Sequence, residues 1–132
     1  MHVRDAMSTA VLMIGPSHTL REASRAMSAR KVGAAVVLDT DAEGVGIVTE
    51  RDILDALAQD ADPDAETVGD HLTAELVFAA PTWTLDQAAA AMVRGGFRHL
   101  VVLDAGEVTG ILAMRDIVRA WLKEYASPEL VG

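Results

Sequence analysis

Gly46-Ile47-Val48-Thr49-Glu50-Arg51-Asp52-Ile53 is an apolar run that ends at a hydroxyl residue and opens into charged, helix-forming sequence. It returns 64 residues later as Gly110-Ile111-Leu112-Ala113-Met114-Arg115-Asp116-Ile117. Upstream of a short turn the same repetition runs at an offset of 65. Pro16, Thr19, Leu20, Ala23 and Met27 match Pro81, Thr84, Leu85, Ala88 and Met92, and Val36-Val37-Leu38-Asp39 matches Val101-Val102-Leu103-Asp104. A repetition of this length, over residues 3–57 and 68–122, marks two copies of one supersecondary unit. The one-residue deletion falls in a turn, where chain length changes cheaply.

Each copy reads as strand, helix, strand, strand, helix. The opening apolar runs, Val11–Ile14 and Leu76–Ala79, are short strands stopped by Pro16 and Pro81. Thr19-Leu20-Arg21-Glu22 and Thr84-Leu85-Asp86-Gln87 are capping boxes that predict helix starts, and Leu20, Ala23 and Met27, like Leu85, Ala88, Ala89 and Met92, make one apolar face. Gly33 and Gly95-Gly96 mark the exits. Ala34–Leu38 and Arg98–Leu103 read as central strands, with turns at Asp41–Gly44 and Ala105-Gly106 and further strands ending near Thr49 and Ala113. Helical spacing resumes over Arg51–Gln59 and Arg115–Glu124. The faces bearing Ile53, Leu57, Ile117, Trp121 and Leu122 carry more apolar surface than one such chain readily covers, which predicts a homodimer. Repeat 1 is placed at residues 1–60 and repeat 2 at 68–126. Residues 61–67 make an acidic linker with no apolar face, and 127–132 a frayed tail.

The chain has 132 residues, which suits two half-size units sharing one core. Hydrophobic residues make up 51% and aromatics only 4%, so the interior is built from Val, Leu, Ile, Met and Ala. A formal net charge of −9 argues against nucleic acid and anionic membrane partners. Without cysteine there is no disulfide framework, thiolate nucleophile or Cys-based zinc site. His2, His18 and His71 show no metal-ligand spacing, and no metal is expected. Met1-His2-Val3-Arg4-Asp5 opens no apolar signal core and no apolar run approaches a membrane span, so a cytoplasmic location is expected.

Several repeated segments also carry a family resemblance. They are Val3-Arg4-Asp5-Ala6-Met7 at the entry, Leu20 through Met27, Gly33-Ala34-Ala35-Val36-Val37-Leu38-Asp39 and Gly46 through Ile53. The second copy offers Val68-Gly69-Asp70-His71-Leu72, Phe97-Arg98-His99-Leu100-Val101-Val102-Leu103-Asp104 and Gly110 through Ile117. This unit resembles the CBS domain, and the chain as a whole resembles a freestanding tandem CBS pair, or Bateman module. The resemblance covers most of the chain and leaves no room in it for a catalytic domain. It implies an α/β (α+β) fold of two tandem βαββα repeats packed as a pseudo-two-fold pair. It also implies a regulatory, energy-sensing module that binds an adenosine-derived ligand in the cleft between repeats and signals to a partner protein. That ligand would be AMP, ADP, ATP, NAD or S-adenosylmethionine, and no cofactor is required.

The candidate site has a physical logic of its own. At Thr49 a strand runs into a helix, so free amides and the positive end of the helix dipole offer an anion site, to which Thr49 adds a hydroxyl. Asp52, one turn on, can accept hydrogen bonds from ribose hydroxyls. The resemblance assigns phosphate and ribose to this threonine and aspartate. Thr-x-x-Asp is equally a capping box that needs no ligand. Arg51 can reach a phosphate or pair with a nearby acid. For the adenine the resemblance points to Val11, Leu12, Ala34, Ala35 and Val36, which also read as core. In the second copy Ala113 replaces the threonine while Arg115 and Asp116 remain, and Arg98-His99 brings cations to the helix-to-strand junction; this site is expected to be the weaker. A ligand-independent interaction or scaffold dimer with degenerate sites stands as the alternative. An enzyme has little in its favour, with no Ser-His-Asp set, Gly-rich phosphate loop or metal cluster.

Overall fold

The computed structural model describes residues 1–39, 44–74 and 76–125. Its elements are α1 (Val3–Ala6), β1 (Met13–Ile14), α2 (Leu20–Arg30), β2 (Ala34–Asp39), β3 (Gly44–Thr49) and α3 (Glu50–Ala58). A 3-10 turn at Val68–Asp70 follows, then β4 (Phe78–Ala79), α4 (Leu85–Gly95), β5 (His99–Asp104), β6 (Glu107–Ala113) and α5 (Met114–Tyr125). The predicted strand-helix-strand-strand-helix order holds in both copies, with a short helical entry turn added to each. Both capping boxes form. The Thr19 hydroxyl accepts from the Glu22 amide at 3.1 Å and the Glu22 carboxylate accepts from the Thr19 amide at 3.1 Å, while Thr84 and Gln87 do the same at 3.1 and 2.9 Å. The first strands are shorter than the apolar runs that suggested them, because only two residues of each pair with a central strand. Of the turn expected at Asp41–Gly44 only Gly44 is among the described residues, and the tail from Ser127 lies outside them. None of the described helices is long and apolar enough to cross a membrane.

Each copy makes a three-stranded sheet whose central strand runs parallel to the first and antiparallel to the last. In the first sheet Ala34 lies opposite Thr49, Ala35 opposite Val48 and Val36 opposite Ile47. The two-residue period of a strand then sends Ala35, Val37 and Val48 to one face and Ala34, Val36, Ile47 and Thr49 to the other. The first face packs with Ala23 and Met27 of α2. In the second sheet the hairpin turns through Ala105 and Gly106 with φ of 52° and 82°, the left-handed pair that a tight two-residue hairpin requires. A register shift between Val102 and Leu103 leaves Thr109 unmatched on β6.

The compact units differ from the two repeats as the sequence writes them. One unit joins Met1–Ala10 to the chain from Val77 onward; the other is Val11–Leu76. Each repeat's entry segment therefore completes the core of the other repeat. Val3, fully buried, lies with Leu85, Ala88, Met92, Leu100 and Ile117. Val68, fully buried, lies with Ala23, Met27, Ala35, Val37 and Val48. The backbone bonds repeat with the sequence. The Val3 amide donates to the Trp83 carbonyl and the Val68 amide to the His18 carbonyl, both at 2.8 Å, while Leu85 donates to Met1 at 3.2 Å and Leu20 to Glu66 at 3.0 Å. Ser8 exchanges a bond pair with Ile111, and Thr73 with Ile47, each at 2.9 and 3.0 Å.

The acidic linker is more than a solvated loop. Asp64 takes two nitrogens of the Arg21 guanidinium, and the carbonyls of Pro63 and Glu66 accept from the first amides of α2. Two glycines let the entry segments lie flat on the last strands. A Cβ on Gly110 would stand 2.6 Å from Met7 Sδ and 2.9 Å from the Ser8 carbonyl oxygen, whereas one on Gly46 would meet Leu72 Cδ1 at 3.0 Å and the Thr73 carbonyl at 3.2 Å.

Gly110→Ala is accordingly expected to destabilise the fold by about 1–3 kcal/mol through overpacking. Gly46→Ala should cost less, because its tightest neighbour is a movable side-chain end. Urea titration of both variants checks the order, and equal midpoints would contradict the close approach.

Acid should loosen the docked linker. The Arg21 hydrogen bond holds Asp64 below its ordinary 3.8, the Thr67 amide and hydroxyl hold Asp70 below 3.8, and the Thr19 amide and hydroxyl hold Glu22 below 4.5. Depressed carboxylates lend stability that is complete above their ordinary values and is lost as pH falls through the lower folded-state values. The denaturation midpoint is therefore expected to fall on acidification below these ordinary values, and Asp64→Asn should flatten the fall. A midpoint independent of pH in that range would contradict it.

Candidate functional site

The junction of β3 and α3 builds the site. Thr49 is extended (φ −115°, ψ 164°) and caps the helix. Its amide donates to Asp52 Oδ2 at 2.9 Å, its hydroxyl donates to the same oxygen at 3.1 Å, and that hydroxyl accepts from the Asp52 amide at 3.2 Å. The capping-box reading of Thr-x-x-Asp is thus realised in full. The Glu50 amide donates to the Gly33 carbonyl at 2.9 Å, so two of the first three helix amides are already taken. This corrects the expectation of an open amide cradle for phosphate. The proton of the Thr49 hydroxyl is likewise committed, and a phosphate receives it only if the bond to Asp52 is given up.

Asp52 Oδ1 is in a different state. Among the described residues it has one long contact, 3.4 Å, from the Thr73 hydroxyl. The carboxylate is half-buried; Thr49 saturates one of its oxygens, and among the described residues the other is open to a further donor. Beside it lies the sheet face of Ala34, Val36 and Ile47, all buried.

Strand alternation sorts the residues expected at the adenine. Ala34 and Val36 share the face of Thr49, but Ala35 turns the other way into the α2 core, fully buried. Leu12 also packs against that core, and its carbonyl accepts from the Val36 amide at 2.9 Å. The β1 residue across from Val36 is Met13. Met13, not Leu12, therefore offers a side chain on the site's face, and Val11 is half-buried outside the strand. Arg51 is exposed and pairs with Asp55 at 3.4 Å, one helical turn on. A groove of about 660 Å³ lies elsewhere in this unit, between α2 and α3, where Arg21, Arg25, Ile53 and Leu57 are among its walls; neither Thr49 nor Asp52 lines it.

The second copy keeps half of the box. The Ala113 amide donates to Asp116 Oδ2 at 2.8 Å, no hydroxyl joins it, and Arg119 stands 3.9 Å from Asp116 Oδ1. The Met114 amide donates to the Arg98 carbonyl at 2.9 Å, matching Glu50 and Gly33. His99 opens β5 opposite Ala113, which puts its half-buried ring on the same face of the sheet, while Arg98 and Arg115 are exposed. Two neighbours of the aspartates escaped the sequence reading, Thr73 and Arg119. Arg119 was signalled by its three-residue helical spacing from Asp116, and Thr73 by its match at offset 65 to another hydroxyl residue, Ser8.

The CBS domain family model matches residues 3–59 and 68–123. An uncharacterised protein of Methanocaldococcus jannaschii is 29% identical over 124 residues; the chain spans 44% of that relative's length while 94% of the chain is covered. A CBS-domain protein of Agrobacterium tumefaciens has a solved structure that superposes with a TM-score of 0.85 at 35% identity, covering 92% of this chain and 99% of that one. The CBS domain pair of the protein MJ0100, solved in complex with 5′-methylthioadenosine and S-adenosyl-L-methionine, superposes with a TM-score of 0.84 at 24% identity, covering 94% and 98%.

Proposed function

Because this chain belongs to the CBS-domain family, as two such domains in tandem, we propose that it is a non-catalytic regulatory module that binds an adenosine-derived ligand and signals its occupancy to a partner protein. The observation that carries the reading is the half-open carboxylate of Asp52. Its Oδ2 is saturated by Thr49, its Oδ1 awaits a donor, and the buried Ala34 and Val36 supply an apolar surface on the same sheet face. A ribose hydroxyl and a flat base match that pairing of one open acceptor with small apolar side chains. The ligands named for the MJ0100 pair, 5′-methylthioadenosine and S-adenosyl-L-methionine, are of this chemistry. AMP, ADP, ATP and NAD share the adenosine part. The committed amides and hydroxyl at Thr49 make the ribose and base the principal handles. Site 2, with Asp116 already near Arg119 and no hydroxyl at Ala113, is the weaker one, and Arg98 and His99 are its basic residues.

Calorimetry with AMP, ADP, ATP, NAD, 5′-methylthioadenosine and S-adenosylmethionine tests the reading. At least one should bind, and Asp52→Ala should weaken it about ten- to a hundredfold, the loss of a charged acceptor. Binding by none would favour the scaffold alternative, for which the complete Thr49–Asp52 capping box speaks.

The module also associates with itself in this reading, through Leu57 and Leu122 of the side chains first expected but not through Ile53, Ile117 or Trp121. Ile117 is buried in its own unit's core, and Ile53 and Trp121 pack against the cores of theirs. On these two helices the exposed apolar side chains are Leu54 (56%) and Leu57 on α3 and Val118, Leu122 (60%) and Tyr125 (75%) on α5. Leu122→Glu is therefore the variant expected to shift a homodimer toward a 14.0 kDa monomer in light scattering without unfolding it. Trp121→Glu should unfold its unit instead. A parent protein that is monomeric at high micromolar concentration would remove the proposal.

A further inference from the structure

The groove between α2 and α3 lies apart from Thr49 and Asp52, and its charge is opposite to that of the chain. Residues 21–31 hold Arg21, Arg25, Arg30 and Lys31 against a single acid, Glu22, whereas the chain as a whole has 11 basic and 20 acidic residues. Glu22 is spent on the Thr19 amide at the helix cap. Arg21 and Arg25 stand one helical turn apart in the groove wall with Ser28, and Ile53, Leu57 and Pro63 line it with apolar surface.

The chain itself shows what these arginines take. The Arg21 guanidinium donates to both oxygens of Asp64, which the linker carries to the start of α2. That hydrogen bond is the main reason Asp64 lies below its ordinary 3.8, and Arg25 adds to the effect from farther off. Arg25 is exposed, and among the described residues no carboxylate stands within ion-pair distance of it. The pair of guanidinium groups is thus half filled. The other copy serves as an internal control. At the positions of Arg21, Arg25 and Ser28 it has Asp86, Ala90 and Val93, and Trp121, packed on its own core, stands at the position of Leu57. Its α4 forms the same capped helix without any of them, so the repeat does not need a basic groove to fold.

We propose that this groove docks the regulated partner through an acidic amphipathic helix, which sets a carboxylate on Arg25 and apolar side chains against Ile53 and Leu57. The inference rests on the partner-signalling part of the reading above and adds the partner's chemistry. A net charge of −9 disfavours such a segment over the rest of the surface, so charge sets where it lands and apolar contact holds it there. Leu57 also belongs to the self-association surface, so a docked helix and a second copy compete for it.

Labelled synthetic helices of about 14 residues serve as probes. One carries leucines on a single face flanked by glutamates, one has the same composition with the leucines scattered, and one has lysines in place of the glutamates. Fluorescence anisotropy is measured on the parent protein, Arg25→Glu, Arg25→Lys, Leu57→Ser and Arg30→Glu, with light scattering and a urea midpoint for each. The acidic amphipathic helix should bind about tenfold tighter than either control and weaken at high salt. Arg25→Glu and Leu57→Ser should each cost about tenfold, while Arg25→Lys, and Arg30→Glu outside the groove, should each cost less than about threefold. Equal binding of the three probes, an unchanged affinity in Arg25→Glu, or an equal loss in Arg30→Glu overturns the inference. A change of mass on Arg25→Glu without peptide would seat a second copy in the groove, and tight binding of a DNA duplex lost in Arg25→Glu would seat a nucleic acid; either overturns it. Calorimetry with the adenosine ligands reads the Asp52 site separately. Arg25→Glu should leave that binding unchanged, and a parent protein that binds no adenosine ligand removes the adenosine reading without altering the peptide result.

Discussion

The burial of Val68 under the first sheet and of Val3 under the second is the contact on which the rest depends. A repeat of three short strands and two helices is too small to close a core by itself. The missing piece in each case is a valine from the other repeat's entry, with no exposed surface, brought in on a backbone bonded at both ends. Burying one such side chain contributes about 1.5–3 kcal/mol. Cutting the chain between the repeats would take Val68 from one core and Val3 from the other.

That exchange explains the use of small residues. Ala23, Ala35, Ala79, Ala88 and Ala120 are buried where helices and entry segments approach the sheets. Gly46 and Gly110 stand where the docked chain crosses β3 and β6, and a methyl group there would stand 3.0 and 2.6 Å from its nearest atom. The low aromatic content follows from the same geometry, since large rings would hold these layers apart. The acidic linker fits too, because its carboxylates and carbonyls cap α2 and hold Arg21 while the entry turn is seated.

The candidate site reuses the atoms that make the fold. Thr49 and Asp52 start α3, and the same carboxylate is left with one open oxygen because the cap consumes only the other. A residue with two tasks constrains the ligand. Whatever binds at this junction must accept the geometry that helix capping sets. The second copy, capped through Ala113 by a single amide bond, shows how much of the helix start survives when the hydroxyl is lost.

The sequence by itself determined the local units: the twofold repetition, the capping boxes at Thr19 and Thr84, the central strands and the hairpin at Ala105-Gly106. Each of these is written in neighbouring residues, through a helical or strand period or a cap spacing. The Thr49–Asp52 pair was legible for the same reason, although spacing alone favoured capping over ligand binding. Only the tertiary structure decided which residue of an apolar run faces which way, placing Leu12 and Ala35 in the core, Met13 on the site's face, and Ile117 inside while Val118 and Leu122 stay exposed. A one-residue change of phase moves a strand side chain to the opposite face, and a short run does not reveal its phase. The partner of each entry segment was equally beyond the sequence. Val3 and Val68 look the same whether they pack on the helix that follows them or on the other copy's, and that choice is made by long-range backbone pairing that no local pattern encodes.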